Sequence, residues 1–323
     1  MFRYLIRRTL WAVLLFVVIT FVTFVIFFMA PTAPARLVCG GEQAQPACIK
    51  RATDRLHLND PVPVQYFYFL KKLVVDRSLG DSFITRQSVN TIVAAAAPVT
   101  ASVLFGGAIL WMVIGLALGV FSALRPRSLI DRLAMVFVLI GVSAHPVWIG
   151  LIFSYFFGFK WRLTPITGYA DFFNPPPGQA GGPVQWAYHL ILPWMTFALL
   201  GSALYVRMIR AQVMETMNED YVRTARAKGA PERRVLRLHV LRNALLPIVT
   251  MLGMDIGIGL GGAVFTETVY GLPGLGKTAI QAVDTYDLTV VQGIVVFSTT
   301  AIIVFNLLVD LVYAWIDPRI RLT

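Results

Sequence analysis

The chain has 323 residues, of which 57% are hydrophobic and only 14% charged, and its mean hydropathy is +0.70. A soluble domain carries about 25% charged residues, so this composition excludes an ordinary soluble enzyme and fits a lipid bilayer. The formal net charge of +11 would point a soluble protein toward nucleic acid. Here the basic residues cluster between apolar spans with no aromatic-basic motif beside them, so membrane orientation explains them and nucleic acid is excluded as a partner.

A transmembrane helix needs roughly 20 mostly apolar residues. The first such run extends from Thr9 to Ala30, behind Arg3, Arg7 and Arg8. It is long for the apolar region of a signal peptide, and Ala30-Pro31-Thr32 makes a poor cleavage site, so it reads as an uncleaved span. Further spans are expected at Val99–Leu124, Leu133–Phe157, His189–Val206, Ala244–Thr266 and Val290–Ile316. His145-Pro146 and Leu192-Pro193 mark places where the third and fourth spans can kink or start.

Basic residues then set the orientation. Arg125, Arg127 and Arg132 lie between spans two and three, and nine arginines and lysines lie between Arg207 and Arg242; Arg319 and Arg321 follow the last span. With six alternating spans these segments and the N-terminus share one side, while the opposite short loops hold only Lys160, Arg162 and Lys277. The positive side is cytoplasmic, so both termini are expected there. The 31–98 segment is then extracytoplasmic, with a surface-lying helix over Gln65–Leu70. Cys39 and Cys48 fall in it; an oxidising compartment permits a disulfide between them, and two unpaired thiols in a loop are the alternative. No CxxC pair or Cys/His cluster suggests a metal, and no catalytic arrangement shows in the spacing.

The cytoplasmic stretch 207–243 is too long for a plain connection. Asn218 suits a helix N-cap, with Glu219 and Asp220 in the first turn. A helix from Tyr221 to Lys228 would stop at Gly229. Pro231 would restart it, giving a second basic helix to Arg242. From composition alone, a solvated basic loop on anionic lipid is the better reading of this stretch.

The run Asp220-Tyr221-Val222-Arg223-Thr224-Ala225-Arg226-Ala227-Lys228-Gly229, continued by Leu241-Arg242-Asn243-Ala244-Leu245-Leu246-Pro247, resembles the EAA loop of ABC-type import permeases in its oligopeptide/dipeptide version. Arg223 and Thr224 replace the first two positions of the general Glu-Ala-Ala signature and Ala225 keeps the third; the spacing to Leu246-Pro247 is also long, and both features resemble the peptide branch. The likeness extends over nearly the whole chain, through His57-Leu58-Asn59-Asp60-Pro61, Leu79-Gly80-Asp81-Ser82, Pro146-Val147-Trp148-Ile149-Gly150, Glu267–Gly276, Asp287–Gly293 and Asp317-Pro318-Arg319. It looks like the B-type subunit, which has a long outer segment after its first span.

This resemblance implies an all-α integral membrane protein of the type I ABC importer permease fold, with about six transmembrane helices. It implies an N-terminal part (1–30), an extracytoplasmic segment (31–98) and a permease core (99–323) holding the coupling loop 207–243. It implies a transport subunit without its own ATPase site, in the bacterial plasma membrane, translocating oligopeptides or dipeptides. Its partners would be a second homologous permease, two ATPase subunits that bind the ATP and Mg²⁺, an extracytoplasmic substrate-binding protein and membrane lipid; the chain itself needs no cofactor. ATPase contact would fall on Glu219, Asp220, Tyr221, Arg223, Thr224, Ala225, Lys228 and Gly229.

Two features pull against simple readings. Gly271-Leu272-Pro273-Gly274-Leu275-Gly276-Lys277-Thr278 matches the phosphate-loop pattern letter for letter. It lies between the last two spans, on the expected outer side, without the strand and soluble nucleotide domain that the pattern requires, so it reads as a turn. Asp255 falls in the middle of the fifth span, where a carboxylate is costly unless it meets a cavity or a partner. A place on the translocation path and a buried, hydrogen-bonded side chain are both open. Gly253, Gly257 and Gly261 recur on one helix face beside it and suit close packing, near the path or a partner permease. A self-contained secondary transporter would need an internal repeat and a membrane enzyme would need a polar constellation; neither shows.

Overall fold

A computed structural model describes residues 2–29, 45–55, 59–173 and 181–316. Among the described residues every extended element is a helix, and the one strand-type pairing is an isolated bridge between Asp81 and Ser88. In chain order the helices are α1 (Phe2–Met29), α2 (Pro46–Arg55), α3 (Val62–Val74), α4 (Val89–Leu124), α5 (Leu129–Ser143), α6 (Pro146–Lys160), α7 (Pro183–Met217), α8 (Asp220–Ala227), α9 (Glu232–Ala244), α10 (Leu246–Tyr270), α11 (Leu275–Asp284) and α12 (Leu288–Ile316). Four helices are long and apolar enough to cross a membrane, and up to six spans result if each of two bent pairs is one crossing. Cys39 lies outside the described residues, and with it the bridge to Cys48, as does the tail after Ile316.

Several helices outrun the expected spans. Helix α4 has 36 residues and runs straight through Pro98, and α7 has 35 and runs through Pro193. At 1.5 Å per residue each is about 50 Å long, well beyond a hydrocarbon core of about 30 Å, so residues 207–217 continue a helix. The third span is not one rod. Helices α5 and α6 meet at a bend of 110°. Ala144 and His145 are both extended, with ψ of 140°, and for His145 this is the conformation that a following proline imposes. The ring Nδ1 of His145 then accepts the Val147 N–H at 3.3 Å, which starts α6 afresh.

The chain forms two compact units, residues 1–98 with 278–323 and residues 99–277. In the first, α3 does not lie free on a surface. Its Tyr66 is 9% exposed, shares a 2.9 Å hydrogen bond with Thr20 of α1, and packs edge-on against Phe21. Also in this unit, Ser82 donates to the Asp287 carboxylate, so the Leu79–Ser82 and Asp287–Gly293 motifs meet. In the second unit, Ile209 and Val213 of α7 share one core with Val222 of α8 and Val235 and Val240 of α9.

Candidate coupling elbow and the polar sites of the permease core

Helix α8 begins at Asp220, one residue later than a cap at Asn218 would place it. Asn218 instead closes α7, its side-chain amide donating to the Met214 carbonyl at 3.0 Å. No proline or glycine stops α7 before that point, so the asparagine serves as its end. Glu219 takes the cap position without a side-chain hydrogen bond.

The far end of α8 is set by backbone chemistry. Gly229 has φ +79°, in the region where glycine alone is unstrained. The Gly229 N–H donates to the Arg226 carbonyl at 2.9 Å and the Ala230 N–H to that of Ala225 at 3.3 Å. This pair of bonds is the Schellman closure of a helix. A Cβ on Gly229 would meet nothing within 4 Å, so conformation, not contact, requires the glycine. Pro231 then starts α9, whose residues Val235–Leu241 are wound as a π-helix, a geometry common where helices do work.

Two side-chain ties hold the arms together. The Arg226 guanidinium reaches Glu232, with Nη2 to Oε1 at 2.6 Å, and this cation holds the Glu232 carboxyl below its usual range. Asn243 donates to the Tyr221 hydroxyl at 2.9 Å. On the inner side Val222 and Val235 are fully buried. Glu219, Asp220, Tyr221, Arg223, Thr224, Lys228 and Gly229 are all exposed. Asp220 and Arg223 pair at 3.7 Å in open solvent. Ala225 differs from these: it is half-buried and packs against the elbow's own core.

Elsewhere in the permease core, Asp255 accepts a 2.8 Å hydrogen bond from Tyr205 and is partly exposed. Gly253 and Gly257 are buried within this chain, and Gly261 continues the same helix. A close approach falls at Gly259, where a Cβ would stand 2.6 Å from Leu104 Cδ1.

Sequence reasoning missed two carboxylates. Asp131, at the start of α5, receives Arg210 and Ser122. Glu267, fully buried near the end of α10, accepts from Thr100 at 2.6 Å and from the backbone N–H groups of Gly276 and Lys277 at 2.8 and 3.1 Å. Those are the amides that a phosphate loop would present to a nucleotide, and a protein carboxylate already occupies them. Gly274 leaves room for it, since a Cβ there would lie 2.3 Å from Glu267 Cδ. Lys277 bends back to the Gly271 carbonyl at 3.0 Å.

Comparison with known proteins agrees with this architecture. Residues 115–322 match the family described as "Binding-protein-dependent transport system inner membrane component". Residues 1–104 match the corresponding N-terminal family, "Binding-prot-dependent transport system membrane comp, N-term". The dipeptide transport system permease protein DppB of Escherichia coli (strain K12) is 34% identical over 337 residues, covering 99% of each chain. DppB of Alkalihalophilus pseudofirmus is 33% identical over 334 residues, covering 99% of this chain and 100% of that one. A solved amino acid ABC transporter with histidines shares the fold at TM-score 0.50 and 16% identity, over 69% of this chain and 94% of that one. The chain therefore belongs to the binding-protein-dependent transport family as a multi-pass inner membrane component of the type I importer permease fold, which carries no ATPase site of its own and works with an ATPase and a substrate-binding protein.

Proposed function

We propose that this chain is a permease subunit of an ATP-driven importer for dipeptides or oligopeptides. The observation that carries the substrate class is identity of 34% with a dipeptide permease along 99% of both chains. The chain pairs with a second, homologous permease above two ATPase subunits, and an extracytoplasmic binding protein delivers the peptide. ATP and Mg²⁺ sit in the ATPases. The elbow of α8 and α9 is the coupling element: it is rigid on its inner side and presents Glu219, Asp220, Tyr221, Arg223, Thr224, Lys228 and Gly229 outward. Closure of the ATPases moves the elbow, and the spans rock between inward-open and outward-open states. Both termini and the elbow lie in the cytoplasm, in accord with the basic loops.

Purification in mild detergent followed by mass spectrometry tests the assembly. The expected companions are two ATPase chains or copies and one further permease. Recovery of a complex without any ATPase would overturn the reading. Topology is tested by an impermeant thiol reagent on a cysteine placed at Lys228, with Cys39 and Cys48 replaced by serine, in intact cells, where no label is expected.

A further inference from the structure

Asp255 sits at the tenth position of the 25-residue helix α10, in the middle of a span. It is only partly buried by its own chain. An ionised carboxylate is costly against lipid, so its open side faces water or protein. Among the described residues no basic side chain pairs with it, and Tyr205 is its one hydrogen-bond donor.

The tyrosine is itself fixed. Its ring packs 5.7 Å from that of Trp111 on α4, which stacks on Phe197 at 5.6 Å. Trp111 is 4% exposed, yet its indole N–H meets no acceptor among the described residues. Gly201 leaves room for the indole, since a Cβ there would fall 2.4 Å from it. Three helices thus bring together a carboxylate lacking a cation and a buried donor lacking an acceptor, joined through one tyrosine.

We infer that Asp255 is a substrate subsite on the translocation path, pairing with the α-ammonium group of a peptide in transit while Tyr205 orients the carboxylate. This deepens the proposed peptide-import reading and rests on it. A peptide terminus supplies the missing cation: its ammonium group donates to the open side of Asp255, while the buried Trp111 ring packs against the tyrosine that orients the carboxylate. A lysine from a neighbouring permease would satisfy the carboxylate too, and N-acetylation of the peptide separates the two. The aromatic neighbours suit a cation as well, through the negative faces of their rings. A charge-assisted hydrogen bond of this type is worth enough to shift affinity about tenfold or more.

The test is equilibrium binding of radiolabelled alanyl-phenylalanine to the purified complete transporter, without nucleotide and without its binding protein. The wild type is expected to bind it. Asp255→Asn weakens binding by about tenfold or more, and Asp255→Glu restores it to within about threefold. N-acetylation of the peptide weakens binding to the wild type and has little further effect on Asp255→Asn. Equal affinities for wild type and Asp255→Asn, no penalty from N-acetylation, or no binding to the wild type would each overturn the inference. So would loss of the second permease from the Asp255→Asn complex, which would assign the carboxylate to the subunit interface. Failure of the import reading is seen separately, as a purified complex lacking an ATPase.

Discussion

Arg210 grips Asp131 from 79 positions away in the chain, with Nε to Oδ1 at 2.7 Å and Nη2 to Oδ2 at 3.0 Å. Arg210 is adjacent to Ile209, which lies in the core shared with the elbow, and Nε of Arg210 also reaches Ser122 near the end of α4 at 3.1 Å. One fork thus ties the C-terminal part of α7 to the α4–α5 corner. The Asp131 side chain is 8% exposed and that of Arg210 25%.

Asp131→Asn leaves the guanidinium without its counter-charge. Removing one partner of such a buried pair costs about 3 kcal/mol. Arg210→Lys keeps the charge and loses the planar fork, so its cost is smaller. The expected result is a lowered thermal inactivation midpoint of the purified transporter, larger for Asp131→Asn. Identical midpoints for both variants and wild type would show that the pair contributes nothing.

The phosphate-loop likeness makes an independent prediction. Lys277→Ala removes only a contact with the Gly271 carbonyl, so ATP hydrolysis by the assembled transporter stays at its wild-type rate. Gly274→Ala, in contrast, drives a methyl into the Glu267 carboxylate and breaks the cap at the start of α11. Overpacking of this kind costs about 1–3 kcal/mol, and loss of expression or stability is the expected result. Abolished nucleotide binding by Lys277→Ala, with assembly intact, would revive the ATPase reading.

What was legible in the sequence divides by range. The elbow was readable because its boundaries depend on single residues with sharp backbone preferences: Gly229 entering positive φ and Pro231 starting a helix. The apolar spans were readable for the same local reason. Their lengths were not, because α4 and α7 continue through Pro98 and Pro193, whereas Pro146 breaks its span. A proline's outcome depends on what neighbours supply to the freed backbone. The carboxylate sites were hidden for a different cause. Asp131 with Arg210 and Glu267 with Thr100 are 79 and 167 positions apart, and no spacing rule connects them. Asn218 misled because asparagine suits either end of a helix.

The Arg226–Glu232 tie gives the elbow a pH dependence. Arg226 lowers the Glu232 carboxyl from its ordinary value of 4.5. A depressed folded value contributes stability that is present above 4.5 and lost as pH falls through the lower folded value. Both side chains are well exposed, at 37% and 64%, so solvent screening limits the effect to less than about 1 kcal/mol. Hydrogen exchange of the amides around Gly229, corrected for intrinsic rates, should therefore show protection falling in acid. Glu232→Gln should show lower protection at neutral pH and a flatter profile. A wild-type profile as flat as that of the variant would remove Glu232 from the elbow's stability.

Gly229 provides the sharpest test of coupling. At φ +79° an L side chain is strained whatever the space, and a β-branched one most. Because nothing lies within 4 Å of a Cβ there, the penalty is purely conformational and can be graded. Gly229→Asn should be nearly neutral, Gly229→Ala should cost about 1 kcal/mol, and Gly229→Val should cost more. The Schellman closure then opens, and the exposed rim from Glu219 to Lys228 no longer holds one shape. Ala225→Trp reaches the same end by another route: Ala225 is half-buried, so a bulky ring splits α8 from its own core before it touches any partner. Both damaging variants should still insert in the membrane and still bind the loaded substrate-binding protein. Peptide uptake per ATP hydrolysed, measured in reconstituted vesicles, should fall in the order Asn, Ala, Val at position 229. Full uptake and full substrate-stimulated hydrolysis in both Gly229→Val and Ala225→Trp would show that the elbow is not the coupling element, and would leave it as a basic surface resting on anionic lipid.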